Sequence, residues 1–505
     1  MLSQAVSLAL QGIDAQIIEI EVDIIKGLPN FTIVGLPDST IRESKDRIRS
    51  AVENSGYTFP PHNFVVNLAP AGFKKQGANF DLPVAVSILK ATGQIEMANE
   101  MIPMVGELSL DGRVKPVRGV ISMAITLYRK GFRSFIVPYE NRHEAAALKE
   151  VSIYPVKSIH ETLEVLNGAH EPFISDSPSP RMPVTIDFAH VRGQETAKRA
   201  MEIAAAGHHN ILLYGAPGSG KTMLARRIIS ILPELSRDQA IETTMIHSAG
   251  GKLTGESGII TTPPFCAPHH TSSDVALVGG GHIPSVGAVS LSHNGVLFLD
   301  ELVEFKHHVI QALRQPLEDY EITVARAHGS FTFPADFMLI AASNPCSCGF
   351  LFDKENRCSC TPLRIKNHFQ KIAGPILDRI DLEVLVNRVD YKSLMEKGNC
   401  ESSERIRERV DRARGIQAHR FKGNATRYNS RMTTEETREH CRLDTDSEKI
   451  LEQALKSLRL TARTYYKILK ISRTIADLHE CPVIEKSHVL EALSYKNLQR
   501  NYEHY

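Results

Sequence analysis

The pattern of apolar and polar residues divides the chain into a mixed first third, an alternating middle and a helical last part. Apolar runs that favour strands occur at residues 15–25, 31–34 and 64–68, among segments with helical spacing. We therefore predict an α+β domain over residues 1–170. A stretch rich in proline and serine at residues 171–186 predicts a linker.

One helix of the first domain is well defined by its sequence. Thr40 and Glu43 have the spacing of a capping box, in which two side chains satisfy backbone N–H groups at a helix start. Gly56 lies where a helix C-cap belongs. Between them, Ile48 and Val52 lie on one helix face, so the pattern predicts an amphipathic helix that packs on the first domain.

After the linker, helical segments alternate with short apolar runs at residues 211–214, 296–299 and 337–342. Such alternation predicts a parallel sheet with helices on both faces. Strand signals fade further on, and the remaining sequence has helical spacing. The predicted architecture is multidomain α/β, with an α/β core at residues 187–390 and a helical domain at residues 391–505.

Charge and composition narrow the class of protein. The 505 residues carry 59 Lys and Arg against 58 Asp and Glu, a formal net charge of +1. Such a balance argues against a protein that coats nucleic acid with its whole surface, so any DNA site must be a local patch. The N-terminus lacks the pattern of a signal peptide, and no apolar run reaches the ~18 residues of a membrane-spanning helix. We expect a cytoplasmic protein without a membrane segment.

The segment after the first core strand has the pattern GxxxxGK[ST], which is typical of a loop that binds nucleotide phosphates. Backbone N–H groups of such a loop surround the phosphate oxygens, and the N-terminus of the next helix adds a favourable potential. We expect Lys221 to reach the β- and γ-phosphates of ATP, and the Thr222 hydroxyl to hold Mg²⁺. The predicted nucleotide-binding residues are Gly215, Gly218, Ser219, Gly220, Lys221, Thr222 and Asp300.

Polar residues at the ends of later apolar segments complete a predicted hydrolytic site. Asp300 is suited to hold the hydrated Mg²⁺, and Glu301 to orient and polarise the attacking water. Asn344 ends another strand and is suited to orient the water or sense the γ-phosphate. We predict that Arg379 is an arginine finger that reaches the ATP of a neighbouring subunit. A positive charge in that position raises the rate of hydrolysis roughly 10³–10⁵-fold. The alternative for Arg379 is a structural salt bridge.

These segments resemble the magnesium-chelatase-like AAA+ family, and their order and spacing are similar to its ComM/YifB branch. Two N-terminal segments, at residues 34–51 and 106–119, extend the resemblance over essentially the whole chain. The other motifs are Gly193-Gln-Glu195, GAPGSGKT at 215–222, PFCAPHHTSS at 264–273, LSHNGVLFLDEL at 291–302, LRQPLED at 313–319, SNPCSCG at 343–349, GPILDRIDL at 374–382 and ARTYYKILKISRTIADL at 462–478.

The resemblance implies a homo-hexameric ring that uses ATP and Mg²⁺, with a sensor arginine on a helical lid at Arg463. It also implies a DNA motor that acts on branched, duplex or single-stranded DNA. Such a motor would drive branch migration while transforming DNA is incorporated. A rival from the same family is the motor subunit of a metal chelatase, which remodels a partner protein.

Residues 106–119 also resemble the Lon-type proteolytic domain, which shares its fold with a ribosomal S5 domain. An ATP-dependent protease or protein remodeller is therefore a second rival. A Ser–Lys protease needs a serine nucleophile with a lysine close enough to deprotonate it. The corresponding positions hold Asp81 and Ile121, so we expect a retained scaffold without peptidase activity.

A hairpin is predicted at residues 321–333, where apolar and polar residues alternate around a glycine. Arg326 and His328 near its tip are candidate contacts to DNA phosphates in a ring pore. The alternative is a hairpin that packs on its neighbour and leaves Arg326 solvated. The arginines of residues 402–431 interleave with acidic residues, which favours a solvated helix face there.

Four cysteines lie within fifteen residues, as two CxC pairs separated by nine residues. Four thiolates so close together can enclose one tetrahedral Zn²⁺, although CxxC is the usual spacing of structural zinc sites. The quartet predicts either one structural zinc or a set of reduced thiols in a surface loop. Its members are Cys346, Cys348, Cys358 and Cys360.

Overall fold

The computed structural model describes most of the chain. The described residues are 2–96, 102–174, 186–253, 258–281, 285–326, 329–353, 355–372, 376–389, 400–424, 426–457, 461–496, 498 and 502. Most of the predicted linker and the candidate DNA contact His328 lie outside these ranges. Among the helices within them, none combines the length and apolar character that crossing a lipid bilayer requires.

The first part of the chain is an α+β unit, as predicted. Its strands are β1 (Ser3–Gln11), β2 (Asp14–Ile25), β3 (Asn30–Val34), β4 (Asn63–Ala69), β5 (Glu107–Leu108), β6 (Val114–Lys115), β7 (Ser134–Pro138) and β8 (Ser152–Val156). Its helices are α1 (Ser39–Asn54), α2 (Asp81–Ala91), α3 (Val120–Arg129), α4 (Arg142–Ala145) and α5 (Ile159–Leu166). The main sheet has the order β1-β2-β4-β3, in which β3 and β4 pair in parallel and the other pairs are antiparallel.

Helix α1 confirms the predicted amphipathic helix but corrects its N-terminal cap. The side chain of Asp38 accepts a 2.9 Å hydrogen bond from the backbone N–H of Ile41 and thereby caps the helix. The predicted capping box at Thr40 is therefore wrong, because an earlier carboxylate satisfies the same end of the helix. The apolar face is buried as expected, and Gly56 has the left-handed φ of +85° that suits the residue after a C-cap.

The middle of the chain forms the predicted parallel sheet. Its strands are β9 (Ile211–Tyr214), β10 (Phe265–Cys266), β11 (Val296–Leu299), β14 (Met338–Ser343) and β15 (Leu382–Leu385), and the hairpin strands are β12 (Glu321–Arg326) and β13 (Gly329–Pro334). The order across the sheet is β10-β11-β14-β9-β15, and every neighbouring pair is parallel.

Helices cover this sheet and make up the described C-terminal part. The helices of the middle part are α6 (Glu195–Gly207), α7 (Lys221–Arg227), α8 (Arg237–Ala249), α9 (Asp274–Val278), α10 (Ala288–Leu291), α11 (His307–Ala312), α12 (Arg314–Asp319) and α13 (Pro362–Ile372). The C-terminal helices are α14 (Ser403–Arg420), α15 (Thr434–His440), α16 (Thr445–Ser457), α17 (Ala462–Leu478) and α18 (Lys486–Ser494).

Two apolar cores lie on opposite faces of the sheet, because successive residues of a strand point to opposite faces. Ile211 and Leu213 of β9 belong to one core, together with apolar residues of α6, α14 and α17. Leu212 and Tyr214 belong to the other, together with the β12–β13 hairpin and the cysteine quartet. The C-terminal helices therefore share a hydrophobic core with one face of the sheet.

Candidate nucleotide site

The phosphate loop, Asp300, Glu301 and Asn344 lie side by side at one edge of the sheet. Strands β11, β14 and β9 are adjacent and parallel, so their carboxyl ends meet at the same edge. The phosphate loop follows β9, Asp300 follows β11 and Asn344 follows β14. Open parallel sheets bind their ligands at this edge. The topology brings together three segments that are far apart in sequence.

Lys221 is a buried ammonium group held inside the phosphate loop. Its Nζ donates hydrogen bonds to the carbonyl oxygens of Gly215 and Ala216, at 2.8 and 3.0 Å. It also lies 3.3 Å from Oδ1 of Asn344. Desolvation lowers the pKa of Lys221, against the opposing effect of the Asp300 and Glu301 charges. Neutral carbonyls are weak partners for an ammonium group, so an anion entering the loop would be favoured there.

Three further features of the loop suit a phosphate. Gly218 and Gly220 have φ values of +75° and +93°, which residues with a side chain rarely adopt. The hydroxyl of Ser219 is buried and has no hydrogen-bond partner among the described residues. Gly215 lies so close to the carbonyl of Val386 that a side chain would not fit. The loop therefore has the backbone conformation and the hydroxyl donor that suit a phosphate-binding loop.

The hydroxyl of Thr222 donates a 2.7 Å hydrogen bond to Oδ2 of Asp300. The other oxygen of Asp300 accepts a 3.0 Å hydrogen bond from the backbone N–H of Glu301. A hydroxyl beside a carboxylate is the oxygen donor set that Mg²⁺ takes in phosphate sites, where water completes the shell. Thr222 and Asp300 are therefore the residues that would hold this ion.

Glu301 has a backbone φ of +52°, a left-handed conformation that is uncommon for a residue with a side chain. Its carboxylate is about half exposed and lies 3.3 Å from Nδ1 of His270. His270 in turn packs against His269, with 4.2 Å between the ring centroids. The conformation projects the Glu301 carboxylate beyond the end of β11, beside an imidazole that the sequence did not predict as a site residue.

A second unpredicted residue, Gln194, joins the phosphate loop to the segment after β15. Its φ is +64°, and its side-chain amide donates to the carbonyl of Ser219 at 3.2 Å and to the carbonyl of Asn387. A cavity of about 360 Å³ opens next to this bridge, between residues 193–196, Ala216 and Arg388. Its position beside the phosphate loop makes it the candidate pocket for the nucleoside part of ATP.

Arg379 and Arg463 meet at one carboxylate, that of Glu318 in α12. Arg379 is buried and forms an ion pair with Glu318, and Nη2 of Arg463 lies 3.2 Å from the same oxygen. Desolvation opposes ionisation of Glu318, but the two arginines outweigh it and lower the pKa of this carboxyl. The three residues line a separate cavity of about 320 Å³. The sequence predicted both arginines as site residues but not their common partner.

The arginine pair lies at the opposite edge of the sheet from the phosphate loop. Arg379 precedes β15, and its carbonyl accepts a 3.0 Å hydrogen bond from Asn210, which precedes β9. Both strands are parallel, so Arg379 lies at their amino ends while the phosphate loop follows the carboxyl end of β9. Strand β9 has four residues and is about 13 Å long, so the backbone at its two ends is separated by about that distance.

The cysteine quartet is a compact group of sulfurs. Its four ligand atoms all lie within 4.8 Å of one another. Cys346 and Cys348 are 3.3 Å apart, and Cys348 and Cys358 are 3.5 Å apart. Sulfurs bound to one tetrahedral zinc at 2.3 Å stand about 3.8 Å apart, so this spacing fits the ion. Burial raises the pKa of the Cys346 thiol to about 12, whereas backbone N–H groups outweigh desolvation and lower that of Cys348 to about 6.

The hairpin that carries Arg326 is confirmed. Strands β12 and β13 pair antiparallel, and Arg326 stands opposite Gly329 as the last pair before the tip. Ile322, Val324 and Phe333 are buried in the second core, so one face of the hairpin is anchored. Arg326 therefore ends a supported strand, next to tip residues that lie outside the described ranges.

The residues of the candidate site that the sequence did not predict lie inside its family motifs. Gln194 belongs to the segment Gly193-Gln-Glu195, His270 to PFCAPHHTSS and Glu318 to LRQPLED. Each of these side chains is polar, but the neighbouring sequence does not show which residue it contacts in the fold. Its position within a family motif was the one sequence feature that pointed to it.

Three family models match separate stretches of the chain. One described as magnesium chelatase, subunit ChlI, matches residues 187–394. One described as subunit ChlI of Mg-chelatase matches residues 20–141, and one described as magnesium chelatase, subunit ChlI C-terminal, matches residues 400–496. The matches fall within the N-terminal unit, over the middle part with the parallel sheet, and over the C-terminal helices.

Individual proteins are similar over nearly the whole chain. Competence protein ComM of Haemophilus influenzae is 41% identical over 503 residues, which cover 98% of this chain and 97% of ComM. The protein YifB of Salmonella typhimurium is 41% identical over 497 residues, which cover 97% and 96% of the two chains. Lon protease of Chloroflexus aurantiacus is 27% identical over 174 residues, or 32% of this chain and 21% of the protease. The chain therefore belongs to the magnesium-chelatase-like AAA+ family, in the branch of ComM and YifB.

Proposed function

We propose that this protein is an ATP-driven DNA motor that promotes branch migration when incoming DNA is recombined. The observation that carries the proposal is the similarity to competence protein ComM over 98% of the chain. AAA+ membership implies ATP hydrolysis with Mg²⁺, and the arrangement of the candidate site is consistent with that chemistry. The action on DNA is the part that goes beyond the family.

The residues of the candidate site have separate roles in this proposal. Lys221 exchanges its carbonyl partners for the β- and γ-phosphates, which gives the buried ammonium group a charged partner. Thr222 and Asp300 hold Mg²⁺, which neutralises charge on the phosphates. Glu301 polarises the attacking water at the end of β11. Asn344, already 3.3 Å from Lys221, orients that water or senses the γ-phosphate.

The arginine pair supports a ring in which ATP is hydrolysed between subunits. Arg379 lies at the edge of the sheet opposite its own phosphate loop because β15 and β9 are parallel, and Arg463 meets it at Glu318. Arg379 and Arg463 share the single negative charge of Glu318, so a phosphate group of higher charge would compete for them. In a closed homo-hexamer, each subunit would thus supply Arg379 and Arg463 to its neighbour's ATP.

The DNA contact in this proposal is the β12–β13 hairpin, with Arg326 beside its tip and His328 in the tip itself. Moving a junction exchanges base pairs nearly one for one, so ATP mainly supplies direction. A motor needs a few phosphate contacts that release in every cycle, because permanent tight binding would stall it. The net charge of +1 agrees with a small, local DNA-binding surface on branched or duplex DNA.

The second candidate is a motor that remodels a protein, as the magnesium chelatase descriptions of the family models suggest. A proteolytic variant of this candidate is less well supported. Asp81, at the expected nucleophile position, is held by Arg47 at 2.6 Å, and Ile121, at the expected lysine position, is buried and apolar. Neither side chain can act as a nucleophile activated by a lysine.

The experiment that separates these candidates measures ATP hydrolysis with single-stranded, duplex and branched DNA, together with gel assays on labelled three- and four-stranded junctions. We expect DNA to stimulate hydrolysis, and junctions to be resolved only with ATP. A forked duplex without a mobile junction serves as the control. If no DNA stimulates hydrolysis and no junction is resolved, the DNA motor is wrong and the protein-remodelling candidate replaces it.

A further inference from the structure

The loop that carries the cysteine quartet, residues 345–360, packs directly on the phosphate loop. Gly349 is buried against Pro217, and a Cβ atom placed at Gly349 would lie 2.5 Å from Cδ of Pro217. Gly349 has a φ of +85° and lies between the two CxC pairs. The cysteine loop thus forms a wall that touches the phosphate loop at its proline.

A second connection runs through Arg388. Its guanidinium group lies 3.2 Å from the carboxylate of Asp353 in the cysteine loop, and it donates a 3.2 Å hydrogen bond to the carbonyl of Pro217. Close by, the ring of Phe352 meets the edge of Tyr214, the residue before the phosphate loop, with 6.1 Å between centroids. Three separate contacts therefore join the cysteine loop to the phosphate loop.

The other end of the cysteine loop is joined to Asn344. Cys346 follows Asn344 by two residues, and the backbone carbonyl of Asn344 accepts a 2.9 Å hydrogen bond from the ring of His368. The hydroxyl of Tyr502 donates to the carbonyl of Pro345. Movement of the cysteine loop would therefore displace both the phosphate loop and Asn344, the two groups that line the proposed γ-phosphate position.

The cysteine loop has no regular structure of its own to resist such movement. Its described residues, 345–353 and 355–360, form neither helix nor strand. The feature that brings its two ends together is the quartet, with sulfurs within 4.8 Å of one another across a separation of up to fourteen residues from Cys346 to Cys360. Four bonds to one ion would remove the freedom of a loop whose closure is otherwise entropically unfavourable.

We propose that the quartet binds one Zn²⁺ and that the metal-held loop braces the phosphate loop and Asn344, so that nucleotide affinity depends on metal occupancy. This inference rests on the proposed ATP site. The ion is a structural ligand of the four thiolates and takes no part in hydrolysis. Its effect on the nucleotide passes through Gly349, Arg388 and Asn344.

The test compares the full-length protein before and after metal removal. Elemental analysis measures zinc per chain, and a fluorescent ATP analogue with Mg²⁺ measures nucleotide affinity. We expect about one Zn²⁺ per chain in protein purified without chelator. Stripping the ion, with the chelator then removed, should weaken nucleotide binding on the order of tenfold, and added Zn²⁺ should restore it. Circular dichroism confirms that the helices persist.

Substitutions in the cysteine loop test the same inference without a chelator. Cys348→Ser with Cys358→Ser should lose the metal and show the weaker affinity, whereas Cys481→Ser, at a half-buried cysteine of the C-terminal part, should behave as wild type. Gly349→Ala should keep the metal and still bind nucleotide more weakly, because the contact with Pro217 is disturbed.

The outcomes distinguish the inference from the proposed function. Zinc-loaded protein that binds no nucleotide would contradict the ATP site itself. Purified protein without zinc and with four reactive thiols, or stripped protein that binds nucleotide as tightly as the loaded form, would overturn the bracing role while leaving the ATP site intact.

Discussion

The hydroxyl of Thr222 and the carboxylate of Asp300 lie 2.7 Å apart, although 78 positions separate them in the sequence. Thr222 lies in the first turn of helix α7, and Asp300 follows strand β11, so the two residues belong to different strand–helix connections. Because β11, β14 and β9 are adjacent in the sheet, both residues reach the same edge. In the proposed ATP site, this pair would hold Mg²⁺ beside Glu301.

Glu301→Gln should bind ATP as wild type and hydrolyse it on the order of 10²–10⁴ times more slowly, since an amide cannot polarise water as a carboxylate does. Lys221→Ala should instead lose tight binding, because the loop loses its ammonium group. Fluorescent nucleotide binding and phosphate release measure the two effects. Glu304→Gln, at an exposed glutamate nearby, is the matched control. Wild-type turnover in Glu301→Gln would contradict the role of Glu301.

Subunits with Arg379→Ala mixed with subunits carrying Lys221→Ala should recover part of the ATPase activity that each lacks alone. A composite site can then take an intact phosphate loop from one subunit and an intact arginine from the next. The control mixes Arg379→Ala with Arg463→Ala. Both changes affect the same side of the interface, so no complete site forms and no recovery is expected.

Mixed assembly must be verified with two labels before hydrolysis is compared. Absence of recovery in verified mixed rings would mean that Arg379 acts within its own subunit, or that its pair with Glu318 is only structural. The alternative for Arg379 is a structural salt bridge, since the residue is buried and paired with Glu318 of its own chain.

Arg326→Ala should weaken the resolution of DNA junctions while ATP hydrolysis without DNA stays close to wild type. The residue ends a hairpin strand outside the candidate nucleotide site, so its loss removes a phosphate contact only. Gel assays on labelled junctions measure the effect at two salt concentrations. Arg407→Ala, on an exposed face of α14, is the control and should leave junction resolution unchanged. Equal defects in both variants would argue for nonspecific charge.

Ser248→Ala should loosen the contact between the N-terminal unit and the nucleotide core. The Ser248 hydroxyl donates to Glu144 and accepts a 2.7 Å hydrogen bond from the backbone N–H of Gly119. Burial raises the pKa of Glu144, and the hydrogen bond from Ser248 opposes that rise. Losing one donor to a buried carboxylate costs about 1–3 kcal/mol.

Hydrogen–deuterium exchange should rise on both sides of that contact in Ser248→Ala, in residues 117–124 and 244–251, and thermal unfolding should begin earlier. Unchanged exchange in both segments would mean that other contacts, such as the 3.0 Å pair of Arg237 and Glu150, hold the two units together.

Local sequence patterns were sufficient to predict the elements of the site. The phosphate loop, Asp300 and Asn344 each follow an apolar run, and a strand that ends in a polar residue is a signal contained within about eight residues. The cap of α1 shows the limit of such signals. Asp38 and Thr40 are both good capping residues two positions apart, and a difference of about 1 kcal/mol or less decides between them.

Partners distant in the chain could not be predicted in this way. Glu318 lies 61 positions from Arg379 and 145 from Arg463, and no local pattern indicates that one carboxylate serves both. The same holds for His270 beside Glu301 and for Gln194 beside Ser219. Each of these pairs depends on how strands and connections are ordered around the sheet.

The sequence by itself determined the fold class, the family and the candidate phosphate-binding residues, because periodicity and the glycine-rich motif are properties of short segments. Only the tertiary structure decided which edge of the sheet each charged group occupies. Parallel pairing of β15 with β9 places Arg379 at the amino ends of the strands and the phosphate loop at the carboxyl end. Since β9 is about 13 Å long, the strand length and its parallel pairing, which no local sequence pattern contains, set the separation between these two groups.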